Sequence, residues 1–251
     1  MNICIIGAGL SSLTLAKAFV NQNIYVDILV SNKPNKPNTS RTIGISKNNI
    51  EFFNNHIINI EKIIWNLNEI DIFTDNLKKD KLINFKNKKK TLFSIIKNNE
   101  LYKILEKSLL KNKYFKKVHQ SKNLNFINKY DLVINTDHGN LITKKFFNKK
   151  ISKKYNSTAY TSIFKHDKIL NNVATQIFTK NGPLAFLPIS NNETSIVYSQ
   201  HNSRKKEKEN IEDLIRQYNF KYKIQKMQKF QSFELKSFHL RSYYQDNILA
   251  F

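Results

Sequence analysis

The spacing of apolar positions divides the chain into predicted elements. It opens with a continuous β-branched run, Ile3-Cys4-Ile5-Ile6, which predicts a strand buried on both faces. The run breaks into Gly7-Ala8-Gly9, and Ser11 to Val20 then places Leu13, Leu15, Ala16 and Phe19 at helical spacing. A second apolar run, Ile24 to Val30, predicts another strand. Asn32 to Ser40 holds Pro34 and Pro37 among polar residues and predicts a loop. Asn48 to His56 and Ile60 to Leu67 predict two short helices, while Ile70 to Phe73, Leu82 to Phe85 and Thr91 to Ile96 predict short strands. Leu101, Ile104, Leu105, Leu109 and Leu110 define a helix over Asn99 to Leu110, with Asn98 or Asn99 as its cap. Asp131 to Asn135 predicts a compact buried strand.

From Ser157 the pattern changes. Ala159 to Phe164, Val173 to Phe178, Leu184 to Pro188 and Ser195 to Tyr198 are strand-like runs at roughly even spacing. Arg204 to Tyr218 predicts a polar amphipathic helix with Ile211, Leu214 and Ile215 inward. Phe233 to Leu240 and Ile248 to Phe251 predict further strands. The fold expected is α/β: a Rossmann-like domain with a βαβ start and a mainly parallel sheet, carrying an inserted, largely antiparallel sheet. The expected boundaries are 1–70 and 97–155 for the first domain, 71–96 and 156–240 for the second, and 241–251 for a strand returning to the first.

A strand, a glycine turn, a helix and a strand form the unit that binds dinucleotides. Gly7 allows the tight turn, and Gly9 lets the backbone approach a pyrophosphate. The helix start then offers free N–H groups and partial positive charge to that anion. Two features depart from the pattern. Ser12 stands at the third glycine position, and Val30 and Ser31 stand where an acid for the ribose hydroxyls would close the second strand. Asp27 sits earlier in that strand.

Composition changes this picture little. A chain of 251 residues can bury a full core. Its one cysteine, Cys4, lies in the first strand and reads as a small core residue, in keeping with a reducing compartment. The N-terminal run has no basic leader, and no apolar stretch approaches the length of a membrane span. The net charge of +23 invites a nucleic-acid reading, but lysine, asparagine and isoleucine are abundant throughout, and arginine is confined to Arg41, Arg204, Arg216 and Arg241. A specific nucleic-acid reader leans on arginine for bidentate contacts, so none is expected. Scattered lysines suffice for attraction to an anionic membrane surface. The basic runs Lys86 to Lys90 (with Asn87), Lys144-Lys145, Lys149-Lys150 and Lys153-Lys154 are expected in loops and solvated faces. His56, His119, His138, His166, His201 and His239 show no metal-ligand spacing, so no metal site is expected.

Taken in order along the whole chain, four stretches resemble the flavin-dependent aromatic hydroxylases, and among them the ubiquinone-biosynthesis hydroxylases. They are Gly7-Ala8-Gly9-Leu10-Ser11-Ser12, then Arg41-Thr42-Ile43-Gly44-Ile45-Ser46, then Asp131 to Gly139, and finally Gly182-Pro183-Leu184-Ala185-Phe186-Leu187-Pro188 followed by Ser195 to Tyr198. The second is similar to the family's Arg-x-x-x-Leu-Ser segment and the third to its strand ending in Ala-Asp-Gly. The resemblance implies FAD as cofactor and NAD(P)H as electron donor. Molecular oxygen is then used to hydroxylate an electron-rich, polyprenylated phenol.

The same resemblance implies roles for residues. The backbone of Gly7, Ala8, Gly9, Leu10, Ser11 and Ser12 holds the pyrophosphate, Arg41 lies beside the flavin, and Asp137 organises a second loop. Leu187 and Pro188 sit near the ring. The chemistry belongs to the flavin, so no catalytic side chain is assigned. The resemblance further implies a cytoplasmic protein, peripheral at the inner face of the membrane and in contact with other ubiquinone-biosynthesis proteins. The departures are Val30, His138 in place of glycine, and Lys144 in place of arginine. The chain also stops one residue before the family's Gly-Asp, so it is expected to be a fragment of a longer protein or a decayed relative. Two alternatives stay open. One is another flavoprotein of the same architecture, such as a prenyl-lipid reductase or an epoxidase. The other is a degenerate binding module that keeps the fold without catalysis.

Overall fold

The computed structural model describes residues 1–30, 39–75, 80–86, 91–119, 124–202 and 210–251. The chain opens with β1 (Asn2–Ile6), α1 (Leu10–Asn21) and β2 (Tyr25–Val30). Then come β3 (Thr42–Ser46), α2 (Lys47–Phe52), β4 (Ile64–Leu67), β5 (Glu69–Thr74), β6 (Ile83–Lys86), β7 (Phe93–Lys97) and α3 (Asn98–Leu109). These lead to β8 (Phe115–His119), β9 (Leu132–Asn135), α4 (Leu141–Phe146) and the 17-residue β10 (Lys150–His166). The remainder is β11 (Val173–Thr179), β12 (Gly182–Pro188), β13 (Glu193–His201), α5 (Ile211–Tyr218), β14 (Ile224–Met227), β15 (Gln231–Leu240), β16 (Tyr244–Gln245) and β17 (Ile248–Ala250).

The strands form three sheets. The first has the order β16-β17-β9-β1-β2-β8, and every pairing from β17 to β8 is parallel. Such strands are covered on both faces, which is why β1 is an unbroken apolar run. Ile3, Ile5, Val26, Ile28 and Ile134 face α1 and α3, whose Leu13, Ala16, Leu101, Leu105 and Leu109 fill that side. Cys4, Ile6, Leu29, Val133 and Ile248 face Ile142, Phe147 and Leu240.

The second sheet, β14-β10-β13-β12-β11-β5-β6 with β15 also on β10, is antiparallel except where β11 meets β5. One face carries α5 through Leu214 and Ile215, packed with Phe164, Leu184, Phe186 and Tyr198. The other face meets a small third sheet, β3-β7-β4, through Leu67, Ile95, Ile163, Ala174 and Leu187. The α/β expectation and the separate antiparallel sheet are both present.

Some elements differ from the expectation. Ile60 to Leu67 is not a helix. A single 3₁₀ turn, Glu61–Ile63, leads into β4, which pairs along β7. Buried Leu67 and the Ser94–Asn66 side-chain bond hold it there, so tertiary pairing overrides local propensity. The cap of α3 is Lys97, with no side-chain cap bond, and Asn98 and Asn99 are the first helical residues. Lys150, Lys153 and Lys154 lie in β10 rather than in a loop, although they are exposed. Part of the predicted 32–40 loop, most of the basic run 86–90, and residues 204–209 of the last predicted helix lie outside the described residues.

At the edge of the second sheet, β5 places Glu69 and Asp71 on one face. Asn84 donates to both carboxylates, Lys81 pairs with both, and Lys86 bonds Glu69 at 2.8 Å. The hydrogen bond from Lys86 is the main cause holding the Glu69 carboxyl below its ordinary 4.5, against the upward push of burial. A depressed carboxyl stabilises the fold above its unfolded value and loses that contribution as pH falls through the folded one. Lys86→Met should therefore lower the unfolding free energy above pH 4.5, and the difference should vanish as acid protonates Glu69. Urea unfolding at a series of pH values checks this, and a gap that stays constant into acid contradicts it.

Candidate functional site

The parallel strands end together on one edge. The β1–α1 turn, Gly7 to Gly9, lies beside the loop after β9, Thr136 to Asn140. From β1 the chain passes through α1 to β2 on one side, whereas β9 lies on the other, so β1 and β9 flank the point where strand order reverses. Crevices at such points are where open α/β sheets bind ligands.

Gly7 has φ +119°, a conformation that favours glycine, and a Cβ there would stand 2.5 Å from Thr136 Oγ1 and 3.1 Å from Ser12 Oγ. The two loops are thus in close contact. Ser12, fully buried, shares a 2.7 Å hydrogen bond with the Thr136 hydroxyl, and Thr136 donates its N–H to Ile6 O. The small residue at the third glycine position packs the helix tightly and also ties it to β9. Gly9 differs from Gly7. It caps α1 with φ −82° and no side-chain cap bond, and a Cβ there would meet nothing within 4 Å. The first intrahelical bond is Leu13 N–H to Gly9 O. The N–H groups of Leu10, Ser11 and Ser12 therefore have no acceptor inside the helix. No acidic residue occupies its first turn.

The second loop is shaped from within. Asp137 Oδ1 accepts from Gly139 N–H at 2.9 Å, and Asp137 N–H donates to Asn135 Oδ1. Asn140 and Thr143 also bond to Asn135, closing a network at the start of α4. Asp137 is exposed and forms its own turn. Asn135, Thr136, Asn140 and Thr143 were not singled out from the sequence. The only local signal was the polar pair that ends an otherwise apolar strand.

Asp27 takes no part in this edge. It lies mid-strand on the face opposite α1 and accepts a 2.7 Å hydrogen bond from the Tyr130 hydroxyl. Both residues line a cleft of about 290 Å³ with Asn2, Ile3, Tyr25 and Lys129, at the far end of the strands. Cys4 is their neighbour. Burial, then the Asp27 carboxylate, pushes its thiol up to about 12. At pH 8 only about one thiol in ten thousand is ionised, so Ellman's reagent should label Cys4 only after unfolding. Fast labelling of the native protein contradicts this placement.

Arg41 lies on the seam with the second sheet. Its guanidinium stands 4.0 Å from the centre of the Phe233 ring, and its carbonyl accepts from Asn98 N–H. Ser40 and Thr42 on either side bond through their hydroxyls to Thr161 and Ser195. Leu187 is opposite Ser195 on the same sheet face, packed among Trp65, Ile70 and Phe93. Pro188, the next residue of β12, points to the opposite face and is buried. Adjacent strand residues alternate, so the two side chains point to opposite faces. Asn98 and Asn99, beside Arg41, hold buried Oδ1 atoms without a protein donor, a feature with no sequence signature. Among the described residues, no group of His, Cys, Asp and Glu could hold a metal ion.

The residues present fit the diphosphate of FAD: an uncapped helix start, open space over Gly9, and the switch-point crevice. The last residue of β2 is Val30, which offers no carboxylate for a ribose hydroxyl.

No protein-family model matches the sequence, and no curated protein is similar to it. Solved structures do share the fold. The chain superimposes with TM-score 0.74 on PqsL, a probable FAD-dependent monooxygenase from Pseudomonas aeruginosa, at 12% identity, covering 100% of this chain and 77% of that one. With p-nitrophenol 4-monooxygenase PnpA of Pseudomonas putida DLL-E4 the TM-score is 0.75 at 9% identity, covering 99% and 71%. With 2-methyl-3-hydroxypyridine-5-carboxylic acid oxygenase it is 0.71 at 10% identity, covering 99% and 74%. The chain has the fold of FAD-dependent monooxygenases.

Proposed function

We propose that this protein binds FAD in the β1–β9 crevice and serves as an NAD(P)H-dependent monooxygenase that hydroxylates a phenolic ring. A polyprenylated phenol of ubiquinone biosynthesis is the substrate class suggested by the sequence. The observation that carries the proposal is the uncapped start of α1 beside Gly9, on a fold that matches FAD-dependent monooxygenases over this chain's whole length and 77% of PqsL's.

When bound, FAD supplies the electron transfer and oxygen chemistry. This chain's residues bind and enclose it. The N–H groups of Leu10, Ser11 and Ser12 donate to the pyrophosphate, with the helix dipole adding positive charge. Gly7 and the Ser12–Thr136 bond fix that turn against β9. Arg41 keeps a positive charge at the seam, its guanidinium held over Phe233. Leu187 and its cluster exclude water from the sheet face beside that charge.

Flavin titration of the full chain tests the cofactor, and NAD(P)H-supported oxygen uptake on adding a phenol tests the reaction. Saturable FAD binding with phenol-dependent uptake is expected. FAD binding without that uptake points to a reductase or epoxidase of the same architecture. The second reading, a binding module without FAD, is favoured by Val30 and by the commitment of Asp27 to Tyr130. Absence of flavin binding supports it.

A further inference from the structure

The first half of β10 leaves the body of the second sheet and pairs with the end of β15 as a two-stranded ribbon, Lys150 with Leu240 through Lys154 with Lys236. Lys149, Lys150, Lys153, Lys154, Lys236 and Arg241 all lie exposed along it. Over 149–155 and 231–241 they face a single carboxylate, Glu234. Among the described residues none of the six makes an ion pair. Lys154 and Lys236 stand directly opposite each other, a like-charge pairing that costs stability. Six uncompensated cations on so short a ribbon repel one another, and an anionic partner relieves that repulsion.

Apolar side chains share one face of the ribbon with three of these charges, Lys149, Lys153 and Arg241, while Lys150, Lys154 and Lys236 alternate to the other face. Ile151 is 60% exposed and Tyr155 47%, on one face of the ribbon, and Tyr244 just beyond its end is 71% exposed. Lysine stems with tyrosine and isoleucine suit the headgroup region of a bilayer, where the ammonium stays at the phosphates and the apolar atoms sink. A nucleic acid has no apolar layer for Ile151, and the ribbon offers one arginine, Arg241, for bidentate contacts.

We propose that this face of the ribbon, with Lys149, Ile151, Lys153, Tyr155 and Arg241, is a docking surface for an anionic lipid bilayer, which the protein meets peripherally. The inference is independent of the flavin reading. Among the described residues no helix is long and apolar enough to cross a membrane. Each lysine near an anionic surface contributes about a fivefold gain in binding.

The test is sedimentation of the full chain with vesicles of phosphatidylglycerol and phosphatidylcholine, against phosphatidylcholine alone. Binding only to the anionic vesicles is expected. The triple variant Lys149→Glu, Lys153→Glu, Arg241→Glu should lose about hundredfold or more in affinity. It should fold as well as the parent, because all three side chains are exposed and make no ion pair among the described residues. A charge-matched variant, Lys103→Glu, Lys107→Glu, Lys111→Glu, changes exposed residues in and just after α3, across the parallel sheet from the ribbon. Screening limits its loss to about threefold. The proposal is overturned if anionic lipid makes no difference, if both variants lose equally, or if duplex DNA binds more tightly than the vesicles through the same three residues.

Discussion

Alanine at position 9 should leave the fold intact and remove most of the affinity for FAD. Gly9 has a φ that any residue adopts, and the added methyl meets nothing within 4 Å. The melting temperature should stay where it is, as for a surface substitution worth within about 0.5 kcal/mol. In the proposed site, the methyl enters the space the pyrophosphate would occupy. Displacing it from one charge-assisted N–H bond costs about 1.5–3 kcal/mol, or roughly ten- to hundredfold in Kd. Gly7→Ala should behave differently. Its methyl would stand 2.5 Å from Thr136 Oγ1 at a positive φ, so overpacking and strain together should cost about 3 kcal/mol of stability as well as the flavin. Flavin titration and thermal unfolding of both variants separate the two roles. If Gly9→Ala binds FAD like the parent, the glycine turn is not the diphosphate site.

The largest loss of stability from a single methyl is expected at Gly182, far from that turn. This residue starts β12 at φ +138°, and its Cβ would lie 1.9 Å from the backbone oxygen of Ser199 in β13. A flexible side chain could move aside, but a backbone carbonyl in a sheet interior cannot without breaking the ladder. Leu184 pairs with Tyr198 two residues on, and both are fully buried. Strain plus overpacking should cost about 4 kcal/mol, lowering the melting temperature by roughly 10 °C. Differential scanning calorimetry of Gly182→Ala beside Gly9→Ala checks this. Equal melting temperatures for the two would show that β13 yields.

The start of the site was legible because its signals are local. Gly-x-Gly between a buried run and a helical pattern specifies a turn whatever the rest of the chain does. The complete lining of that turn was not legible. Thr136 and Asn135 lie about 130 residues from Ile6 and reach it only because β9 pairs beside β1. Asp27 looked out of place by position alone, and the structure supplies the reason in its bond to Tyr130, 103 residues away. The opposite orientation of Leu187 and Pro188 was available from strand alternation itself, without any structure.

The sequence by itself determined the βαβ opening, α3 with its inward Leu101, Leu105 and Leu109, and the block of strands after Ser157, because each rests on a periodicity within one segment. Only the tertiary structure decided that Ile64–Leu67 is a strand, that β8 extends the parallel sheet, and that lysines of β10 and β15 meet across one ribbon. Those outcomes depend on hydrogen-bond partners and charges brought together from distant parts of the chain, which no local pattern encodes.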